Sequence, residues 1–427
     1  MMAINNTLKE LLKPVSIWPL IIFRIAFGAI TALAALRFWT KGWIDELYLK
    51  PEFHFHYSAF HWVNIPGESV LYGLFAAKIL LSIFIAAGFF YRISTALFFL
   101  TFTYIELLDK ALYLNHNYLV AVLAFYLIFV PAHKCFSLDT FLKRCETKTE
   151  VADIYLLVIK IQLALVYFFA GIAKLNADWL IHGQPLNIWL KTKTELPLLG
   201  SLFEFDSTAL VMSWSGMIFD LLIPFLLFHK RTVKWAYAWL VAFHLMTALL
   251  FPLGMFPWIM ILTTLIFLNL KKTAPTVSTP KLSFSTTHKV VLCMLSLQVI
   301  LPLRSSLYPG NSLWHEVGFR YSWQVMKVEK TGFVEFICHD PINDYNWLVS
   351  PKDYLTSLQE MQMCYQPDMI LEFAHFLSGK LGPEIKIYAD SWVSMNGRIP
   401  QRFVKEKVDL VQLTSHEPSH WINKLKE

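Results

Sequence analysis

The amino-acid sequence predicts a polytopic α-helical membrane protein, with about eight to nine transmembrane helices followed by a small α+β extracytoplasmic domain. Of the 427 residues, 56% are apolar and 16% are charged, which is more apolar than an ordinary soluble domain. Apolar runs near the length that crosses a bilayer recur along the chain, and the composition changes after residue 304. Five cysteines, none of them in a CxxC pair, give neither a metal nor a disulfide pattern, so no metal site is expected.

The apolar runs give the order of the helices. Eight of them fall at residues 17–38, 69–91, 95–109, 117–131, 154–174, 208–228, 233–250 and 255–270. A ninth run, 288–303, is shorter and contains Gln298, so it could span the membrane or lie at its interface. The first run is long, which favours a retained helix over a cleaved signal peptide. We therefore expect a multi-helix transmembrane domain at 1–272, a linker with a probable last transmembrane helix at 273–304, and the extracytoplasmic domain at 305–427.

Basic residues decide the predicted orientation. Lys9 and Lys13 precede the first run. The other basic residues follow the second, fourth, sixth and eighth runs, on the same side as the N-terminus: Arg92, Lys134, Lys143, Arg144, Lys148, Lys230, Arg231, Lys234, Lys271 and Lys272. Because cytoplasmic loops carry an excess of lysine and arginine, this side is predicted to be cytoplasmic. The C-terminal domain then lies outside, and the net charge of +6 requires no nucleic-acid partner.

The sequence pattern of the C-terminal region predicts strands and a helix in alternation. The pattern predicts two strands within 321–338 around a tight turn at Thr331-Gly332. Residues 355–381 have helical periodicity. A further strand is predicted at 385–395, with a turn at Asn396-Gly397 and a strand that resumes over 402–411.

Lys174 ends the fifth apolar run. About 20 residues, or roughly 30 Å of helix, separate it from the inner boundary, which places it at the outer end of the bundle. A lysine at a helix end is typical of an anchor whose ammonium reaches the membrane interface. The alternative is a desolvated, neutral amine that acts as a base near neutral pH.

Other polar residues reach the same end. Asn115 and His116 lie in the outer link between the third and fourth runs, where Asn115 could merely cap the fourth helix. His244 lies past the midpoint of the seventh run, and an imidazole in an apolar span is costly without a partner or a role. Asp220 and Lys78 are intramembrane charges that we interpret as structural partners of unidentified mates.

Several segments share the pattern of one known family. They are Tyr167-Phe-Phe-Ala-Gly-Ile-Ala-Lys-Leu-Asn-Ala-Asp-Trp-Leu180, Asn115-His-Asn-Tyr-Leu119, Phe243-His-Leu-Met246, Leu253-Gly-Met-Phe256, Arg320-Tyr-Ser-Trp323, Asp390-Ser-Trp-Val-Ser-Met-Asn396 and Gln401-Arg402. In their order and spacing, they resemble the vitamin K-dependent gamma-glutamyl carboxylase family, from the first span to Leu413.

The resemblance implies a reaction and roles for named residues. In this family, reduced vitamin K reacts with oxygen to give a strong base that removes a γ proton from peptidyl glutamate. Carbon dioxide then adds, which yields gamma-carboxyglutamate and the quinone epoxide. Carried over by motif, Lys174 is the initiating base, and His116 with Asn115 stabilises or orients the reacting groups. His244 lines the quinol pocket, together with Tyr167, Met255 and Phe256.

The resemblance also implies partners: a glutamate-containing peptide or protein, membrane lipid and a possible quinone epoxide reductase. Two departures stand out. Ala173 replaces the first of two adjacent lysines of animal members, and the sequence ends soon after the outer domain, which bears on propeptide-based recognition. The short form resembles a bacterial-type member, in the plasma membrane rather than the endoplasmic reticulum. Quinol epoxidation without carboxylation, or non-enzymatic binding of quinone or lipid, are the alternative functions.

Overall fold

The computed structural model describes residues 11–268, 285–413 and 420–426. Its helices are α1 Trp18–Thr40, α2 Glu68–Ala87, α3 Tyr91–Leu107, α4 Asn115–Phe129, α5 Leu138–Phe141, α6 Ile154–Ala173, α7 Ala177–Leu180, α8 Leu186–Lys191, α9 Asp206–Phe228, α10 Val233–Leu250, α11 Phe256–Thr264, α12 Thr286–Ile300, α13 Ser312–His315, α14 Ser357–Met363 and α15 Pro367–Leu381. Its strands are β1 Pro14–Ser16, β2 Glu150–Ala152, β3 Lys330–Asp340, β4 Tyr345–Val349, β5 Lys386–Met395 and β6 Gln401–Arg402.

The apolar runs fold as helices, as their length and composition predict. Within the described residues, six helices are long and apolar enough to cross a membrane: α1, α2, α6, α9, α10 and the helix from Thr286 to Ser306, which contains α12. α4 and the segment Phe256–Phe267 are apolar but shorter. Each of the nine predicted runs falls on a helix, yet the predicted count of eight to nine spans is not confirmed. The first part of the predicted linker, 273–284, lies outside the described residues.

One hydrophobic core joins the helices of the bundle. Side chains from α1, α4, α6 and α9 to α12 meet in it, and the largest fully buried aromatic residues include Phe23, Phe27, Tyr126 and Phe219. Burial of such side chains from water is worth about 1.5–3 kcal/mol each in a soluble protein. In a bilayer the apolar surface gains less from helix contact, so close packing and polar contacts hold the helices together.

The C-terminal region forms an α+β domain. Its antiparallel sheet has the strand order β4-β3-β5-β6, with Phe336 opposite Ala389 in the central pair. Helix α15 covers one face of the sheet: Phe373 lies 5.1 Å from Phe336, ring centre to ring centre. The alternating burial along β5 follows from the two-residue period of a strand whose one face is packed and whose other face is open.

Three details of the predicted C-terminal domain are wrong. The strand expected before the turn is absent, since residues 321–329 form turns and irregular backbone. Thr331-Gly332 is not a turn but part of the continuous strand β3, because Gly332 allows the neighbouring strand to approach closely. A Cβ atom there would lie 2.5 Å from the carbonyl oxygen of Trp392. The strand expected over 402–411 is also short: only Gln401–Arg402 pairs with β5, and Leu410–Gln412 forms a turn of 3-10 helix.

The C-terminal domain docks on one end of the helical bundle. Phe55 and Ala111, from two loops of the bundle, are buried in the core of the C-terminal domain. Nearby, Lys110 Nζ lies 2.9 Å from an Asp368 carboxylate oxygen and 2.7 Å from one of Glu372. Apolar burial and paired charges therefore hold the domain at the end of the bundle where α4 begins and α6 ends.

Candidate functional site

Lys174 is buried at the end of α6. Its backbone caps the helix, and only 6% of the residue is exposed. Nζ lies 2.8 Å from Asp220 Oδ2 and 3.1 Å from the carbonyl oxygen of Ala170. The ammonium of an anchor would extend away from the protein, so the anchor interpretation does not fit this side chain.

A glycine brings Lys174 and Asp220 together. A Cβ atom at Gly171 would lie 2.8 Å from the Leu221 side chain on α9, so only glycine allows α6 and α9 to approach this closely. Small residues play this part between membrane helices, where close backbone approach gives the packing energy. Lys174 lies three residues after this contact and Asp220 lies one residue before Leu221, which brings their side chains within ion-pair distance.

A tyrosine–histidine pair includes Tyr167, which lies on the same face of α6 as Lys174, about two turns earlier. The Tyr167 hydroxyl on α6 and the His244 Nε2 on α10 are 2.8 Å apart, and His244 is only 1% exposed. His244 Nδ1 is buried and has no hydrogen-bond partner among the described residues. A buried polar atom without a partner costs about 1–3 kcal/mol, so such an atom indicates a site that takes a ligand or a water.

Phe256 connects His244 to His116. Its ring centre lies 5.8 Å from the His244 ring and 6.0 Å from the His116 ring. Met255, one residue earlier, packs against the core of the bundle at the start of α11. The structure therefore brings both His116 and His244 to the Phe256 ring.

Asn115 joins the bundle to the segment before β3. It is the first residue of α4, and the N-cap position of that helix is Leu114, so the alternative in which Asn115 caps the helix does not hold. Instead, its side chain accepts a hydrogen bond from the Tyr113 hydroxyl at 3.1 Å and donates one to the carbonyl oxygen of Gln324 at 3.4 Å. The next carbonyl oxygen, that of Val325, lies 3.5 Å from Lys174 Nζ.

Lys327 is a second buried amine near this site, and the sequence did not single it out. It is 6% exposed, and its Nζ lies 3.9 Å from the ring centre of Phe319. Burial, which removes water from the ammonium, lowers the pKa of Lys327 to about 7, although the Glu316 carboxylate opposes the shift. The positive charges of Lys330 and Lys174 act in the same direction as burial.

The segment after Lys174 is tied to the C-terminal domain. Asp178 accepts hydrogen bonds from both terminal nitrogens of Arg398, at 2.8 and 2.6 Å, and from the Asn396 amide at 2.7 Å. Burial would raise the pKa of the Asp178 carboxyl, but the bonds from Arg398 and Asn396 lower it overall. The predicted turn at Asn396-Gly397 is thus also a contact with the bundle.

Fold and site together define a multi-pass membrane protein in which a buried polar site lies beneath an α+β domain. Comparison with known families agrees with this class. Residues 12–271 match the HTTM domain, and residues 284–427 match the family described as "Vitamin K-dependent gamma-carboxylase, lumenal domain". The chain therefore belongs to the vitamin K-dependent gamma-carboxylase family, as the sequence motifs predicted. No solved structure matches the chain.

Proposed function

We propose that this protein carboxylates the γ carbon of glutamate in peptides, with reduced vitamin K, oxygen and carbon dioxide as co-substrates. The single observation that carries this proposal is the buried Lys174 amine. It lies at the same end of the bundle as the Tyr167–His244 pair, beneath a domain of the carboxylase type. A membrane protein that only bound lipid would have no need for a buried lysine at this position, since a buried charge is costly.

The residues around His244 suit a hydroquinone. Phe256 and Tyr167 offer aromatic surfaces, Met255 offers a flexible apolar one, and His244 Nδ1 is a buried polar atom that can pair with a quinol oxygen. When bound, reduced vitamin K supplies, with oxygen, the strong base that removes the γ proton of glutamate. The protein's own contribution is to bind and orient the reacting groups and to exclude water from them.

Lys174 is proposed to accept the first proton at Nζ, from a quinol hydroxyl. Asp220, 2.8 Å away, holds the ammonium that results. Two charges buried in a medium of low polarity are costly, which favours transfer of that proton from Nζ to the Asp220 carboxylate, giving a neutral amine and a neutral carboxylic acid. Asp220 would then regenerate the neutral amine, the form in which Lys174 acts as a base.

His116 and Asn115 are proposed to act on the glutamate side. His116 lies across Phe256 from His244, and Asn115 donates a hydrogen bond to Gln324, in the segment that precedes β3. An imidazole and an amide there can donate hydrogen bonds to the negative charge that develops when the γ proton leaves. The peptide would enter from the extracytoplasmic side, and a quinone epoxide reductase would restore the quinol.

The test is incorporation of labelled carbon dioxide into a glutamate peptide by the purified full-length protein, with a vitamin K quinol and oxygen. Formation of the epoxide is followed in the same reaction. Lys174→Ala is expected to lower both activities about 10²–10⁴-fold, the range for loss of a general base. Lys160→Ala is the matched control, since Lys160 is on the same helix but lies over Phe267.

Each outcome separates the candidate functions. Epoxide without labelled peptide would identify a quinol epoxidase and overturn carboxylation. Quinol binding with neither activity, unchanged by Lys174→Ala, would identify a binding protein. Equal loss in the Lys160→Ala control would show that any lysine on α6 supports folding, which would remove the special role of Lys174.

A further inference from the structure

A cavity of about 470 Å³ lies between the helical bundle and the C-terminal domain. Tyr113 and Asn115 line it from the bundle, and Arg304, Phe319, Tyr321 and Gln324 line it from the segment that leads into the C-terminal domain. This volume lies within the range of small-molecule sites, and both aromatic and polar side chains line the cavity. The cavity can therefore take one or two amino-acid side chains of a peptide.

The charges on the wall of the cavity are mostly neutralised by one another. Asp368 accepts from Arg320 at 2.8 Å and lies 2.9 Å from Lys110. Glu316 pairs with Lys330 at 2.8 Å. These ion pairs hold the docked domain in place. Because their charges are already paired, they offer little net charge to bind a ligand.

Arg304 is different. Among the described residues it has no carboxylate within ion-pair distance, and its one hydrogen bond runs from Nη2 to the carbonyl oxygen of Arg320, at 2.8 Å. Its Nε is buried and has no hydrogen-bond partner within the described part of the chain. An arginine offers two parallel donors to a carboxylate, so a carboxylate is the ligand that this side chain fits best.

Gln324 adds an unused acceptor to the same cavity. Its amide nitrogen donates to the Ser305 hydroxyl at 3.2 Å, whereas its Oε1 is buried and has no partner among the described residues. A ligand with both a carboxylate and an N–H group would satisfy Arg304 and Gln324 together. A glutamate within a peptide has both.

The cavity adjoins the candidate site. Asn115 lines the cavity and donates to the backbone of Gln324, and the carbonyl oxygen of the next residue, Val325, lies 3.5 Å from Lys174 Nζ. A ligand in the cavity is thus separated from Lys174 by a single layer of chain.

We propose that this cavity binds the glutamate of the substrate peptide, with Arg304 as the cation that binds its side-chain carboxylate and Gln324 Oε1 accepting a peptide N–H. This inference rests on the proposed function, and it names the residues that select glutamate. The same chemistry would also bind a free C-terminal carboxylate, so the experiment distinguishes the two sources.

The test combines a change in the protein with a change in the peptide. Binding of a fluorescent peptide, blocked at both ends and containing one glutamate, is measured on the purified full-length protein. Arg304→Gln is expected to weaken binding about 10–100-fold, the effect of losing a charge-assisted hydrogen bond. A peptide with glutamine in place of glutamate should bind the wild type more weakly by the same factor. The Arg304→Gln variant should bind the glutamate and glutamine peptides with equal affinity.

Two control variants test whether the effect depends on the charge of Arg304. Arg231→Gln makes the same chemical change on an exposed loop and should leave binding unchanged. Arg304→Lys keeps the charge and should restore part of the affinity. If the two changes weaken binding additively, Arg304 does not contact the side-chain carboxylate and the proposal is overturned. If a glutamine peptide with a free C-terminus binds as well as the blocked glutamate peptide, the cavity recognises chain ends instead.

Kinetics separate this inference from the proposed function. In a protein that carboxylates, Arg304→Gln should raise the KM for peptide and leave the KM for quinol unchanged. Carboxylation with an unchanged peptide KM would overturn the role of Arg304 while the proposed function stands. Binding that depends on Arg304, in a protein that carboxylates no peptide, would overturn the proposed function and keep the binding site.

Discussion

At the scale of single residues, Lys174 was predictable and its partner was not. One lysine at the end of an apolar run is visible in the sequence, because charge is rare in such runs. Asp220 is as visible, but its pairing with Lys174 depends on how closely α6 and α9 approach at Gly171. Contacts between distant segments of the chain leave no local pattern. The same limit applies to Lys327 and Arg304, because distant segments of the chain form the surroundings of both side chains.

The buried pair of Lys174 and Asp220 gives a prediction about stability. Asp220→Ala leaves the buried Lys174 Nζ without the carboxyl that pairs with it and is expected to lower the free energy of unfolding by about 1–3 kcal/mol, the cost of a buried polar group that loses its partner. The double variant Lys174→Met with Asp220→Leu replaces the pair by apolar side chains and should recover most of that loss, without any recovery of activity. Thermal unfolding of the purified protein in detergent measures both.

The exposed pair of Lys191 and Asp206, 2.7 Å apart, is the matched control. Asp206→Ala should change stability by less than about 1 kcal/mol, since exposed ion pairs contribute little. If Asp220→Ala costs no more than Asp206→Ala, the buried pair does not stabilise the fold.

Lys327 gives a prediction about pH. Its pKa is about 7 in the folded protein, against an ordinary value of 10.5. Between these values the unfolded chain binds the proton more tightly, so the stability of the wild type should rise with pH across this window and stay level below pH 7. Lys327→Met should remove this contribution, whereas Lys386→Met, at an exposed lysine of β5, should keep it. Unfolding midpoints between pH 6 and about 9.5 check both.

At the scale of elements, helices were easier to predict than strands. A helix in an apolar run satisfies its own backbone within the run, so composition alone indicates it. A strand depends on its neighbours. The sequence predicts a turn at Gly332, but this residue lies inside β3, where the absence of a side chain allows β5 to pair closely with it. The segment between Ser322 and Glu329 is likewise irregular, although its sequence alternates, because it is held by Asn115 and Lys174 rather than by a strand.

The contact between α7 and the turn after β5 gives a prediction at this scale. Arg398→Ala removes two of the three hydrogen bonds that Arg398 and Asn396 donate to the Asp178 carboxylate. The backbone of α7 is then expected to exchange its amide hydrogens faster, and turnover should fall because Lys174 is four residues away. Hydrogen exchange followed by mass spectrometry measures the first effect.

Arg402→Ala is the control for this contact. Arg402 lies on the adjacent strand β6 and pairs with Asp390 and Glu406 at the surface. Its loss should leave exchange in α7 unchanged. Equal effects of the two substitutions would show that the sheet, and not the contact with Asp178, controls α7.

At the scale of the whole molecule, the distribution of charge predicted which groups share one end of the bundle. The structure places Lys174, His116 and His244 at that end, together with the C-terminal domain. Which side of the membrane that end faces stays a prediction from the basic loops, because the same bundle is compatible with either orientation. Lipid and membrane potential, not internal contacts, decide it.

Labelling of introduced cysteines can decide the orientation. All five native cysteines are free, and Cys338 and Cys364 are buried, so a variant without Cys135, Cys145 and Cys293 gives a low background. Ile342→Cys lies on the exposed surface of the C-terminal domain, and Glu146→Cys lies in a basic loop. In sealed cells, a membrane-impermeant maleimide should label the first and reach the second only after permeabilisation. The reverse pattern would place Lys174 on the cytoplasmic side, and the peptide substrate would then have to be a cytoplasmic one.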